Sequence, residues 1–175
     1  MTAPKNRLAQ IVGKINSYNL PNGIRKWMLG IFFNSQIKYA GTSGLTIQHL
    51  SQDRAEAALK NRLRIQNHIG GVHACAMALL AESTTGMVFG MNVPDTHLPL
   101  LKSMQMNYVR KVQGGLSAEA YLDEAQREQI TTTEKGSILV PVILKDEAGQ
   151  KPVECTLEWA WVPKRRPDKS SPAKD

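Results

Sequence analysis

Cysteine and aromatic residues are scarce in this 175-residue chain, which also lacks a long hydrophobic run. The two cysteines, Cys75 and Cys155, stand in no metal-ligand spacing, so we expect no metal site and no disulfide framework. No apolar stretch is long and charge-free enough to span a bilayer, and the N-terminus shows no signal-peptide pattern. Together these absences predict a cytoplasmic protein with reduced thiols.

Acidic residues are missing from the first 52 positions, which carry a large part of the net charge of +7. The six basic residues there are Lys5, Arg7, Lys14, Arg25, Lys26 and Lys38. Such charge can attract nucleic acid, an anionic membrane or a phosphorylated ligand, or can simply keep the surface soluble. Because the cations are scattered and aromatic residues make up only 6% of the chain, nucleic acid is the least favoured partner.

Two amphipathic helices are predicted before residue 36. The apolar face of the first comprises Leu8, Ile11, Val12 and Ile15. After the break at Pro21-Asn22-Gly23, the second stripe comprises Ile24, Trp27, Met28, Ile31 and Phe32. We predict that both stripes pack on the domain, in preference to lying on a membrane.

From residue 36 onward the pattern predicts strands on either side of one long helix that begins near Val72. The predicted strands cover 36–50 (with Gly41 and Gly44 at a bulge), 54–63, 104–112, 116–122, 138–144 and 153–162, the last two flanking a hairpin loop. This order predicts an α+β fold in which a mostly antiparallel sheet packs against the helix. The domains are then an N-terminal helical extension (1–35), a core domain (36–162) and a basic, disordered tail (163–175).

Glu82 is the single formally charged side chain between Arg64 and Asp95. On the predicted helix it lies among the small residues Cys75, Ala78, Thr85 and Gly86, which allow another backbone to come close. Burying a carboxylate in such surroundings costs free energy unless the group is paired, so an unpaired one suggests a function. Desolvation would raise its pKa towards the range of a general base. The alternative is an exposed glutamate on a solvent-facing helix surface.

Gly70 and Gly71 precede this helix and permit both unusual backbone angles and close approach of a ligand. The N–H groups at a helix start have no intrahelical acceptor, so they can polarise a carbonyl oxygen. A plain glycine turn explains the pair equally well.

The run from Asn67 to His73, followed by Glu82, resembles the phenylacetyl-CoA-thioesterase-like branch of the hot-dog superfamily. The shared pattern is an asparagine, a glycine three residues later, a histidine six residues later and an acid nine residues beyond the histidine; here these are Asn67, Gly70, His73 and Glu82. Residues 106–111 also resemble the family's strand after the helix. The resemblance implies a hot-dog fold, in which an antiparallel sheet wraps around one long central helix. Two glycines usually follow the histidine, where this chain has Ala74 and Cys75.

The resemblance implies thioester hydrolysis of an acyl-CoA, with no cofactor and with coenzyme A as part of the substrate. The Ala74 N–H would polarise the carbonyl, Glu82 would act as general base or nucleophile, and Asn67 would orient the water or the carboxylate. His73 would fix the turn. The remaining candidates are Gly70 and Gly71 for substrate approach and Arg110 and Lys111 for the phosphates of coenzyme A.

Ala74 and Glu82 stand eight residues apart on one helix, or about 12 Å along its axis, so one thioester cannot touch both. A two-fold dimer with facing helices would bring Glu82 of one subunit to Ala74 of the other. We therefore expect a homodimer, or a dimer of such dimers, with two shared sites and neither nucleic acid nor membrane as a partner.

Two other functions remain open. A 3-hydroxyacyl dehydratase pairs a histidine with a glutamate fourteen residues later, as His68 and Glu82 are spaced, but its phenylalanine and prolines are missing around His68. A non-catalytic hot-dog protein that holds an acyl chain or lipid is favoured by Ala74 and Cys75 in place of glycines. The sequence also leaves open the acyl group and the choice between coenzyme A and a carrier protein.

Overall fold

The computed structural model describes residues 5–164, without the side chains at 34 and 36. Three helices come first, and strands with two further helices follow. The elements are α1 (Arg7–Ser17), α2 (Asn22–Gln36), α3 (Lys38–Ser43), β1 (Thr46–Leu50), β2 (Arg54–Leu59), a 3₁₀ turn (Leu63–Ile65), α4 (Ala74–Gly90), β3 (His97–Tyr108), β4 (Leu116–Tyr121), α5 (Glu124–Thr132), β5 (Gly136–Leu139), β6 (Val142–Asp146) and β7 (Val153–Pro163). None of the helices in this range is long and apolar enough to cross a membrane.

The strands form two adjoining antiparallel sheets, in the orders β1-β2-β4-β6 and β3-β7-β5. Helix α4 contacts strands of both sheets. Its residues are apolar or small around nearly the whole circumference, and most of them are buried, as befits a helix enclosed by other elements. The predicted α+β arrangement, strands around one central helix, is confirmed.

The two N-terminal helices are present, but only part of the second predicted stripe packs on the domain. In α1, Val12 and Ile15 are buried. Of the predicted stripe of α2, only Met28 and Phe32 are partly buried, while Ile24, Trp27 and Ile31 are exposed, Trp27 by 65%. The buried residues Leu29 and Phe33 each lie one position after a packed residue of the stripe and were not predicted. The reason is that apolar residues surround more of α2 than one packing surface can cover.

The stretch predicted as the start of the first strand is a helix instead. Residues Lys38–Ser43 form α3, and Gly44, with φ of +76°, ends it in the left-handed conformation. The glycine that suggested a strand bulge is therefore a helix terminator. The first strand begins only at Thr46, and the second ends at Leu59 rather than at residue 63.

The third predicted strand is shifted towards the N-terminus. Strand β3 begins at His97 and ends at Tyr108, instead of covering 104–112. Arg110 and Lys111 consequently lie in the loop after the strand. β3 pairs with β7 along its whole length.

The strand predicted over 138–144 is two strands in different sheets. β5 pairs with β7, and β6 pairs with β4. The chain crosses between the sheets at Val140 and Pro141, where proline has no N–H to donate to a ladder. β6 and β7 are therefore not the ladder-paired hairpin that the sequence suggested.

Helix α5 is absent from the predicted elements, although its start carries a sequence signal. The Asp123 carboxylate accepts from the Gln126 N–H, and the Gln126 side chain accepts from the Asp123 N–H. This reciprocal capping box follows the Asp-x-x-Gln spacing.

At the C-terminal end of the fold, Pro163 belongs to β7 and the Lys164 N–H donates to Thr96 O. The predicted disorder is therefore wrong for these two residues. The rest of the predicted tail, from residue 165, lies outside the described residues.

The central helix packs closely against β7 at Gly86. A Cβ atom at Gly86 would lie 2.8 Å from Cη2 of Trp159. The Trp159 indole is held there because its Nε1–H donates to Thr85 Oγ1 over 3.0 Å. Since the indole cannot move aside without losing that bond, the absence of a side chain at Gly86 allows this contact.

Gly86→Ala is expected to lower the free energy of unfolding by about 1–3 kcal/mol, because the added methyl overpacks the contact with Trp159. Gly30→Ala is the matched control, since Gly30 also lies inside a helix but a Cβ atom added there would meet nothing within 4 Å. That control should stabilise the protein by about 0.5–1 kcal/mol through reduced backbone entropy. Urea denaturation measures both. Equal effects of the two substitutions would contradict the close packing.

Candidate active site

Glu82 lies on the one stripe of α4 that remains partly open to solvent. Cys75, Ala78 and Gly86 share this stripe, while the opposite side of the helix is buried against the sheets. The Glu82 carboxylate accepts a hydrogen bond from Ser83 Oγ over 3.2 Å. Within residues 5–164, it forms no ion pair. Desolvation by burial raises its pKa, opposed in part by the Ser83 hydrogen bond.

Asn67 organises the turn before the helix. Its Oδ1 accepts from the N–H groups of Ile69 and Gly71, each over 3.1 Å. Gly70 has a φ of +74°, which only glycine adopts readily. The oxygen of Asn67 is thus engaged within the turn. Its Nδ2 group donates to no acceptor in the part of the chain that the structure describes, so that group remains available to a ligand.

His73 caps the start of α4. Its Nδ1 accepts from the Cys75 N–H over 3.1 Å, and its backbone oxygen accepts from the N–H groups of Ala76 and Met77. A ring nitrogen that accepts a backbone N–H is not free to take a proton from water. These contacts favour the predicted structural role of His73.

The Ala74 N–H remains without a hydrogen-bond acceptor in the described part of the chain after His73 has capped the helix. No acceptor for it is found among residues 5–164, whereas the N–H groups on both sides are bonded. Its own carbonyl oxygen accepts from Tyr108 Oη over 3.0 Å, which joins the end of β3 to the helix start. A donor without a partner at a helix N-terminus is suited to bind a carbonyl oxygen that gains negative charge.

The predicted site residues form two groups and two outliers. Asn67, Gly70, Gly71, His73 and Ala74 lie together in the turn and the first helical residue. Glu82 is about 12 Å further along the axis of the same helix. Arg110 and Lys111 lie after β3, and Arg110 Nη1 donates to Gln150 Oε1 over 2.6 Å.

Two contacts at this site could not be read from the sequence. Helical periodicity puts Ser83 on the buried side of the helix, yet its hydroxyl reaches the neighbouring Glu82 carboxylate. Strand alternation assigns Tyr108 only to a strand face, and its bond to Ala74 O depends on where β3 ends relative to α4. Neither of these two hydrogen bonds can be predicted from the spacing of its residues in the sequence.

A cavity of about 300 Å³ adjoins the helix start, between α3 and the first turns of α4. His73, Cys75, Ala76 and Leu79 line it from the helix, and Tyr39 and Arg64 line it from the opposite side. No group of three metal-binding side chains occurs in the described part of the chain. His68, the histidine considered for a dehydratase, is exposed in the turn.

A family model described as "Domain of unknown function (DUF4442)" matches residues 25–162. No curated protein matches the sequence.

The structure is similar to several solved structures. One is a Pseudomonas aeruginosa protein of unknown function, described as a "Probable Thioesterase", with a TM-score of 0.70 and 24% identity over 83% of this chain and 97% of that one. A Haemophilus influenzae thioesterase has a TM-score of 0.59 and 16% identity over 71% and 82%. A mutant Staphylococcus aureus thioesterase has a TM-score of 0.62 and 16% identity over 72% and 99%. These similarities confirm the predicted hot-dog fold.

Proposed function

This chain belongs to the DUF4442 family, and we propose that it hydrolyses acyl thioesters at a site shared by the two subunits of a homodimer. The proposal rests mainly on Glu82, which lies on the partly solvent-exposed stripe of the central helix. Its carboxylate is partly buried, and burial raises its pKa. The descriptions of the three similar solved structures as thioesterases support the reaction class.

In the proposed reaction, the thioester oxygen accepts a hydrogen bond from the Ala74 N–H. Glu82 of the other subunit takes a proton from a water molecule, whose oxygen attacks the thioester carbon. The carbon–sulfur bond then breaks, and the thiolate receives the proton that Glu82 took up. Direct attack by the Glu82 carboxylate, followed by hydrolysis of the anhydride, uses the same geometry. Asn67 Nδ2, which faces no acceptor among the described residues, would orient the water or the carboxylate.

The need for a second subunit follows from the separation of the two groups. The Ala74 N–H and Glu82 are about 12 Å apart along one helix, which exceeds the reach of a single carbonyl group and its attacking water. Two helices related by a two-fold axis place each acid near the partner's helix start. The open stripe of α4 with its small residues permits that approach.

Strand β3 offers a second reason to expect a dimer. It is the edge strand of its sheet, bonded only to β7 among the described strands, so its other edge carries unpaired backbone groups. Leu98, Leu100 and Met104 on this strand are each more than 40% exposed. A long edge strand with exposed apolar side chains is suited to pair with another chain. We propose that β3 lies at the dimer interface beside α4.

The carrier part of the substrate would lie near the helix start. Gly70 and Gly71 leave room for its approach, and the cavity of about 300 Å³ beside His73 and Cys75 extends from there. Arg110 and Lys111, on the loop that follows Tyr108, are the cations that we propose for the phosphates of coenzyme A.

Hydrolysis of a panel of acyl-CoAs at several pH values tests this function. The base must be deprotonated, so kcat/KM should fall as the pH drops through the pKa of Glu82. Because burial raises that pKa, the acidic limb should lie at a higher pH than for an exposed glutamate. A free thiol assay in overlapping buffers measures it. The proposal fails if no acyl-CoA is cleaved, or if cleavage is independent of pH over this range.

Binding without turnover is the second candidate. Cys75 is exposed at the helix start, where the resembled family has glycine, and the Ala74 methyl group adds bulk beside the proposed donor. Tight binding of acyl-CoA without release of thiol would identify the protein as an acyl-binding hot-dog protein.

A further inference from the structure

An apolar groove of about 570 Å³ lies between the N-terminal helices and the C-terminal half of α4. Leu8 and Ile11 of α1 and Phe32 and Phe33 of α2 form its walls, and Gly86 and Gly90 of α4 lie on its helix side. The glycines contribute no side chains, so Trp159 packs against Gly86 and Leu8 against Gly90, and both glycines expose backbone to the groove. A cavity with this lining accommodates hydrocarbon.

The groove starts close to the proposed catalytic carboxylate. Gly86 is four residues after Glu82, and residues four apart are neighbours on the surface of a helix. The groove then follows α4 towards Gly90, where an added Cβ atom would lie 3.4 Å from Leu8 Cδ2. The groove therefore begins about one helical turn from Glu82, on the same side of α4.

Polar groups close the other end of the groove. The Asp95 carboxylate accepts from the Arg7 N–H over 3.0 Å, and Lys164 Nζ donates to Asp95 O over 2.7 Å. The Asp95 N–H donates to Lys5 O over 2.9 Å. If the methyl end of an acyl chain entered this cluster, it would break these hydrogen bonds and form none in return, which costs free energy. The apolar path thus has a definite end.

We propose that this groove binds the acyl chain of the substrate and selects unbranched aliphatic chains of medium length. The inference rests on the proposed thioesterase function for the position of the reacting group. From Glu82 to Gly90 the helix advances about 12 Å. An extended chain advances roughly 1.2 Å per bond, as an extended backbone does, so about ten carbons fill this path.

The test compares two isoleucine-to-aspartate variants. Ile11 lines the groove and is 39% exposed, while Ile24 is 47% exposed on α2 and lies outside the groove. Both positions are helical and solvent-accessible, so neither substitution should unfold the protein. A charge at Ile11 disfavours hydrocarbon beside it. We expect Ile11→Asp to lower the ratio of kcat/KM for decanoyl-CoA to that for butyryl-CoA by about tenfold or more, and Ile24→Asp to leave the ratio unchanged.

Binding of a dansyl-labelled undecanoic acid, followed by fluorescence, provides a readout that needs no turnover. Weaker binding of this probe by Ile11→Asp, but not by Ile24→Asp, supports the groove even if no thioester is cleaved; in that case the hydrolase assignment alone fails. If thioesters are cleaved but both variants keep the wild-type chain-length ratio and the wild-type probe affinity, the groove is not the acyl site and the hydrolase assignment stands.

Discussion

Glu82→Gln should lower kcat for acyl-CoA hydrolysis by a factor of about 10²–10⁴, the usual contribution of a positioned general base. Glutamine has nearly the same shape as glutamate and can still accept from Ser83 Oγ, so the surroundings of the side chain are preserved. It cannot take a proton from water or attack as a carboxylate. Release of free thiol from decanoyl-CoA and butyryl-CoA measures the effect under saturating substrate.

The same substitution should not cost stability near neutral pH. Burial raises the pKa of Glu82 in the folded protein, mainly through desolvation. A raised carboxyl pKa means that the folded state holds its proton more tightly than the unfolded state, so this group destabilises the fold increasingly as the pH rises through both pKa values. Glu82→Gln should therefore have a Tm equal to or above that of the wild type at pH 7. The difference should vanish below the pKa of the unfolded chain.

Glu128→Gln is the matched control for this prediction, because Glu128 is an exposed glutamate on helix α5. It should retain wild-type kcat and a wild-type Tm. If Glu82→Gln keeps full activity, Glu82 has no part in the chemistry. If it loses its cooperative unfolding transition together with its activity, Glu82 is required for the fold, which contradicts the Tm expected above.

Ala74→Pro should lower kcat by about 10²–10³, because it removes the N–H that we propose to bind the thioester oxygen. Ala74 is the first helical residue, where proline is well tolerated since its N–H is not used within the helix. His73 has φ −65° and ψ 145°, an extended conformation that a residue before proline adopts readily. Ala74→Ser keeps the N–H and is the control, with an expected loss of less than about tenfold. Thiol release and circular dichroism compare the variants.

Mixing the two inactive proteins tests whether the site is shared. A heterodimer of Ala74→Pro and Glu82→Gln subunits has one site with an intact Glu82 and an intact Ala74 N–H, while its other site lacks both groups. After unfolding and refolding together in equal amounts, half of the dimers are mixed and one of their two sites works, so activity should return to about a quarter of the wild-type value. Activity that stays at the level of the separate variants would show that each site lies within one chain.

Sequence patterns are sufficient where the signal is local. The apolar periodicity of residues 8–15 predicts α1, and the glycine turn followed by an apolar run predicts α4 to within two residues of its start at Ala74. The prediction at Gly44 is wrong because a glycine at a helix end and a glycine in a strand bulge look the same in one dimension. The prediction over 138–144 is wrong because Pro141 marks a break in a strand but does not show that the chain continues in the other sheet.

The sequence by itself determined the chemical inventory: one isolated acid on a central helix, an asparagine–glycine turn ahead of it and two amphipathic helices before the sheet. Only the tertiary structure decided which groups meet. It decided that Tyr108 holds the helix start, that Trp159 packs on Gly86, that Trp27 is exposed and that the first two helices enclose an apolar groove beside Glu82. The reason is that burial and hydrogen-bond partners are set by contacts between residues far apart in the chain, which a local pattern does not encode.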